Sequence, residues 1–219
     1  MRINAVDTDA CLILFTRYPE PGTTKTRLIP RLGAVRAAQL QRQMTEHMVR
    51  EIGSIRARIS LEIHFSGGCL DRMKNWLGRH LTYRSQSPGG LGQSLHQAFS
   101  RQFESGKTGV VVIGSDCPDI SAAHLEEAFR RLQTHDVVLG PAEDGGYYLI
   151  GLRQAQAELF KGISWGTAAV FEQTREIATR LNLSIATLEQ LSDVDRPEDL
   201  DRLRGNRLKG LVANPALPV

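Results

Sequence analysis

Gly109-Val-Val-Val-Ile-Gly-Ser-Asp116-Cys-Pro-Asp119 is the stretch whose reading decides the fold. Val110 to Ile113 is a continuous β-branched run that stops at glycine, serine and an aspartate. A strand that is apolar on both faces and bounded by turn residues belongs in the middle of a parallel sheet. Open α/β sheets bind ligands in the crevice beyond the carboxyl ends of their strands. Asp116 therefore stands where chemistry is expected.

The flanking segments alternate between strand and helix signals. Cys11 to Thr16 reads as a central strand, followed by a loop from Arg17 to Leu28 fixed by two prolines and a glycine. From Gly33 to Ile52, Leu40, Met44, Met48 and Ile52 recur every fourth residue, so this is an amphipathic helix. Ile59 to Ser66 alternates apolar and polar, which predicts a strand with one buried face and a solvated His64 on the other. Leu70–Leu77 and Leu91–Phe103 read as helices around a brief strand at Leu81–Arg84. Beyond Asp116 come a helix at Ala122–Leu132, a buried strand at Asp136–Gly140, a turn at Glu143–Gly146 and a returning strand at Tyr147–Gly151. Helices at Thr167–Leu181 and Pro197–Leu203 complete the pattern. Strands alternating with helices, plus one hairpin, predict a three-layer α/β/α sandwich with a mostly parallel sheet. Residues 1–204 are expected to form one domain, and 205–219, with two prolines, a C-terminal tail.

The chain has 219 residues, 41% hydrophobic and 23% charged, which is enough to bury a core. A net charge of +3 without a run of like charges gives no nucleic-acid arm, though it suits local binding of phosphates. No signal-peptide pattern precedes Ala10, and no eighteen-residue apolar run would span a membrane. Cys11, Cys69 and Cys117 form no metal or disulfide pattern and are expected to be reduced, buried thiols. A soluble cytoplasmic protein is the expectation.

Five stretches carry chemistry. Pro19-Glu-Pro-Gly22-Thr-Thr-Lys25-Thr-Arg27 follows a strand, and its amides with Lys25 and Arg27 could hold a diphosphate. It is not a P-loop, because Thr24 stands where glycine must precede the lysine. A solvated surface loop would show the same cations. Asp116 suits Mg²⁺ or Mn²⁺, hard cations that take carboxylate, water and phosphate oxygens. Asp119 suits a cap on the next helix, with Ser121 as the alternative. Glu143-Asp144-Gly145-Gly146 would make a plain hairpin, but Asp144 could also orient or deprotonate an acceptor, and the paired glycines could admit substrate to the backbone. In Asp193-Val-Asp195-Arg-Pro197-Glu198, Asp195 has a capping-box explanation and Asp193 has none, so Asp193 could join Asp116 on a metal. Trp165 could stack on a sugar or simply pack in the core.

Taken in order, Phe15–Leu28, Gly114–Asp119, Gly140–Gly151 and Asp193–Leu200 resemble the radical-SAM/selenodomain-associated transferases. These are glycosyltransferase-like proteins of the GT-A, nucleotide-diphospho-sugar transferase type, some of them named for arsenosugar biosynthesis. The resemblance implies a nucleotide over the first strand and its loop, with Arg17, Gly22, Lys25 and Arg27 near the phosphates. It implies a divalent metal on Asp116, helped by Asp193 or Asp195, and transfer of a sugar from a nucleotide-diphospho-sugar to a small acceptor. Gly145, Gly146 and Trp165 would complete the substrate cleft. The Lys-Thr-Arg-Leu and Asp-x-Asp-x-Pro-Glu-Asp-Leu elements are also similar to nucleotidyltransferases such as phospholactate guanylyltransferase. That leaves nucleotidyl transfer from an NTP, with pyrophosphate released, as the alternative, and a non-catalytic nucleotide-binding protein as a third. The same resemblance replaces a common acidic-basic pair with Gln93-Ser94.

Overall fold

The computed structural model describes residues 9–55 and 59–203, so the expected tail at 205–219 lies outside the described residues. In chain order the elements are β1 (Ala10–Arg17), α1 (Ile29–Leu32), α2 (Ala34–Gly53), β2 (Ser60–Ser66), α3 (Leu70–Leu77), β3 (Thr82–Ser85), α4 (Gly90–Glu104), β4 (Gly109–Gly114), α5 (Ala122–Arg131), β5 (Val137–Pro141), β6 (Tyr147–Leu152), α6 (Val170–Arg180), β7 (Ile185–Thr187) and α7 (Asp199–Leu203). The seven strands form one sheet in the order β3-β2-β1-β4-β6-β5-β7. Only β6 runs against its neighbours, β4 and β5, as the expected hairpin requires. The other pairs are parallel.

Alternation along the central strands builds two cores on opposite faces of the sheet. Leu12, Leu14, Ile63, Val111 and Ile113 face Met48, Ile52, Met73 and Leu125, so α2, α3 and α5 cover one face. Cys11, Ile13, Phe15, Val110 and Val112 face Leu95, Phe99 and Ile177, so α4 and α6 cover the other. The sandwich thus has the three layers the sequence predicts. Each fully buried Leu, Ile or Phe in these layers contributes roughly 1.5–3 kcal/mol relative to exposure. A smaller cluster of Leu28, Leu40, Met44, Val194 and Leu200 fastens the C-terminal segment onto α2.

Several local expectations are corrected by tertiary packing. β2 lies between β3 and β1, and both of its faces are covered, so His64 is 5% exposed rather than solvated. Its ring stacks on Phe15 with centroids 5.5 Å apart, and its Nε2 lies 3.0 Å from Glu62 Oε2. Burial raises the Glu62 pKa, but hydrogen bonds from His64, Arg84 and Gln102 outweigh it and bring the carboxyl down to about 2. The cap of α5 is Ser121, not Asp119: the Ser121 hydroxyl and the His124 ring satisfy the first-turn amides reciprocally. Cys11 and Cys117 are buried as expected, whereas Cys69 is exposed at the start of α3. β7 was not anticipated, because three residues carry too little periodicity to register; pairing with β5 creates it.

Candidate functional site

The carboxyl ends of β1, β4 and β5 and the start of β6 open into a cleft of about 610 Å³. Strand register brings them together, since Phe15 sits opposite both Gly114 on β4 and His64 on β2. Of the residues expected at the site, Arg17, Lys25, Arg27, Asp116, Asp144, Gly146, Trp165, Asp193 and Asp195 line this cleft. Gly22 and Gly145 do not.

The loop after β1 is folded by its own residues. Tyr18 N–H donates to Ser66 O at 2.9 Å, and the Thr24 hydroxyl donates to Tyr18 O at 3.0 Å while accepting from Glu20 N–H. Gly22 has φ +85°, so its role is to turn the loop rather than to meet substrate. Lys25 is also left-handed at φ +50°, which costs an ordinary residue about 1–2 kcal/mol. Its buried ammonium group makes the contacts that hold it there. Lys25 Nζ donates to Val194 O at 2.6 Å and lies 2.9 Å from Asp116 Oδ1.

Arg27 is exposed and pairs with the Asp195 carboxylate. Further along, Arg31 reaches Asp201 and Pro197 O, each at 2.8 Å. Val194 N–H donates to Asp116 O at 2.8 Å, so the C-terminal segment is docked on the end of β4. Asp199, rather than an Asp195–Glu198 box, closes the start of α7: its Oδ2 accepts from the amides of Asp195 at 3.0 Å and Arg196 at 2.6 Å. Asp195 is thereby free for Arg27.

The carboxylates in the cleft are not at rest with one another. Burial, then the charge of Asp144, pushes Asp193 up to about 6, with Lys25 pulling the other way. Among the described residues no three His, Cys, Asp or Glu side chains gather closely enough to enclose a metal. What the cleft does offer is carboxylate oxygen of the kind Mg²⁺ and Mn²⁺ take, from a half-exposed Asp116 and from Asp193, which is raised by the neighbouring Asp144 charge. Asp144 meanwhile shapes its own turn, its Oδ1 accepting from Gly146 N–H at 2.8 Å. The expectation that paired glycines admit substrate is corrected at Gly145. With φ +86°, a Cβ there would come within 2.5 Å of the Ala168 Cα, and Phe171 N–H donates to its carbonyl at 2.9 Å. Gly145 is needed for packing against the segment before α6.

The family described as "Uncharacterized protein conserved in bacteria (DUF2064)" matches residues 51–167. The chain belongs to the DUF2064 family. That match takes in Asp116, Asp144 and Trp165, while Lys25, Arg27, Asp193 and Asp195 lie outside it. The DUF2064 chain is 33% identical to a protein from Desulfovibrio desulfuricans G20, provisionally described as a nucleotide-diphospho-sugar transferase, with a TM-score of 0.87 over 94% of each chain. It is 26% identical over 130 residues to 2-phospho-L-lactate guanylyltransferase of Methanocaldococcus sp. (strain FS406-22). That match spans 56% of this chain and 56% of the archaeal one, so the likeness covers about half of each. The fold is also that of 4-diphosphocytidyl-2C-methyl-D-erythritol synthase from Anaerococcus prevotii, with a TM-score of 0.61 at 8% identity, covering 90% of this chain and 95% of that one. The DUF2064 chain therefore has the nucleotide-diphospho-sugar transferase type of fold.

At the far wall of the DUF2064 cleft Trp165 is both core and surface. It meets Tyr147 edge-on, with centroids 6.4 Å apart, and a Cβ on Gly92 would come within 2.6 Å of its Nε1. The floor adds residues that the sequence reading passed over: Thr16, Gln41 and Ser115, all buried, with Thr45 behind them. A signal did exist. Gln41 and Thr45 sit one turn apart beside Leu40 and Met44 on the buried side of α2, where polar residues are out of place without a task.

Proposed function

We propose that this protein is a metal-dependent glycosyltransferase that moves a sugar from a nucleotide-diphospho-sugar to a small acceptor. One observation carries the reading. Each cation suited to phosphate is paired with a carboxylate suited to metal, Lys25 with Asp116 and Arg27 with Asp195. A metal–diphosphate entering the cleft would let both pairs exchange partners: the cations turn to phosphate oxygens, and the carboxylates turn to the metal. No charge is left unpaired by the exchange, and the cleft then matches the charge that builds on a departing nucleoside diphosphate.

Lys25, held from behind by Val194 O, and Arg27 at the rim neutralise that leaving group. Asp144 orients the acceptor hydroxyl or takes its proton, and Trp165 with Tyr147 offers a ring face to the donor sugar. Mg²⁺ or Mn²⁺, held by Asp116 with Asp193 or Asp195, would supply Lewis-acid stabilisation of the diphosphate. The likeness to the Desulfovibrio protein over 94% of both chains, and the resemblance to radical-SAM/selenodomain-associated transferases, support this reading. A cytoplasmic setting accords with such a substrate, and no described helix is long and apolar enough to cross a membrane.

The guanylyltransferase relative favours a second reading, in which the same cleft takes an NTP and a phosphorylated acceptor. The leaving group separates the two. Incubation with UDP- and GDP-sugars or with NTPs, each with Mg²⁺ or Mn²⁺, should release a nucleoside diphosphate from the sugar donors. Pyrophosphate release from NTPs would select nucleotidyl transfer instead. Thermal stabilisation by the donor should require the metal and be lost in Asp116→Asn; stabilisation without metal would remove Asp116 from the metal role.

A further inference from the structure

Among the described cations of the cleft, Lys25 alone is buried. Its side chain is 4% exposed, against 61% for Arg27, and Arg17 is exposed as well. A buried ammonium must be paired, so its partners decide where it points. One partner, the Asp116 carboxylate at 2.9 Å, is 52% exposed and free to turn. The other is the main-chain carbonyl of Val194 at 2.6 Å, which moves only if its whole segment moves.

That segment is held from several sides. Val194 N–H donates to Asp116 O at 2.8 Å, so one residue meets both members of the ion pair through its main chain. Its side chain, 3% exposed, packs with Leu28, Leu40, Met44 and Leu200. Arg31 adds an anchor outside the cleft by reaching Pro197 O and Asp201. Asp193 and Asp195 line the cleft, whereas Val194 between them does not. An apolar residue set between two cleft carboxylates and turned into the core reaches a ligand only through the groups it holds.

We propose that Val194 is a positioning residue for anion capture, acting through Lys25. The inference rests on the diphosphate reading above and adds to it the residue that aims the buried cation. When a phosphate oxygen takes the place of Asp116 Oδ1, Val194 O keeps one ammonium proton and leaves the others facing the cleft. Lys25 is then ordered before the ligand arrives, and little side-chain freedom is lost on binding. The seat of the valine side chain in the α2 cluster sets where its carbonyl stands. Removing the two methyl groups lets the segment settle toward α2 and draws the carbonyl away from Lys25.

The test is a double-mutant cycle on the binding of inorganic pyrophosphate, read by calorimetric titration with Mg²⁺. The proteins are the natural chain, Val194→Ala, Lys25→Met and the double variant. Val194→Ala should weaken pyrophosphate about 5-fold or more, because a hydrogen bond to a charged group is displaced. In the Lys25→Met background the same substitution should change binding by less than about two-fold. Equal weakening in both backgrounds overturns the proposal, since Val194 would then act on the fold at large, and so does full-strength binding by Val194→Ala. If Val194→Ala folds poorly, hydrogen exchange on the natural chain decides. The Val194 amide should stay protected as pyrophosphate binds, and loss of that protection overturns the proposal. Pyrophosphate binding that ignores Val194 sinks this inference alone, whereas no pyrophosphate binding by the natural chain sinks the diphosphate reading with it.

Discussion

Asp193 offers the sharpest check on the carboxylate cluster, because its ionisation should weaken the fold. Its pKa rises from 3.8 to about 6, through burial first and the Asp144 charge second. Below about pH 4 the carboxyl is protonated in the folded and the unfolded chain alike, and it costs nothing. Between pH 4 and 6 the unfolded chain ionises while the folded one holds its proton, so stability falls; above pH 6 both are ionised and the full penalty applies. A shift of this size corresponds to about 3 kcal/mol before screening. Asp193 is only half-buried, so solvent reduces this to roughly 1–2 kcal/mol. Asp193→Asn removes the charge and keeps the shape. It should therefore raise stability by that amount at pH 7.5, about 3–6 °C in Tm, and change it little at pH 4. Thermal melts of both proteins at the two pH values, without divalent ions, give the comparison. Equal effects at pH 4 and 7.5, or destabilisation at pH 7.5, would refute the repulsion argument. Stability traded away among crowded carboxylates is what a binding site for a cation looks like in the absence of that cation.

Two further perturbations separate binding from packing. Lys25→Ala should weaken nucleoside diphosphates at least 10-fold while leaving nucleosides within about two-fold, and should cost roughly 1–3 kcal/mol of stability as Val194 O loses its donor; equal loss for both ligands in titration would take Lys25 off the phosphates. Gly145→Ala places a Cβ against the Ala168 backbone at a positive φ, so urea unfolding should show a loss of about 2–4 kcal/mol. A loss below about 0.5 kcal/mol would return Gly145 to the substrate-access role.

Much of the architecture was legible because it is local and periodic. The Val110–Ile113 run, the four-residue spacing from Leu40 to Ile52 and the Asp144-Gly145 turn each identify their element within a few residues. His64 was misread for the same reason: alternation along one strand reports polarity, but whether the polar face meets water depends on β1, β3 and α4. Asp119 and Ser121 were both eligible caps, and only the reach of the His124 ring selected Ser121. At the site, the sequence nominated Lys25, Arg27, Asp116, Asp144 and Asp193 by residue type and by their position at element ends.

The sequence by itself determined that a central apolar strand would deliver Asp116 to the mouth of a mostly parallel α/β sheet, because burial on both faces leaves its mark on every residue of such a strand. Only the tertiary structure decided the pairing of Lys25 with Asp116 and Arg27 with Asp195, contacts between residues far apart in the sequence. It alone also turned Gln41 and Ser115 toward one another across 74 residues. Such partnerships have no period and no spacing. They exist because the C-terminal segment and α2 close on the end of β4, and that closure is set by packing the whole core.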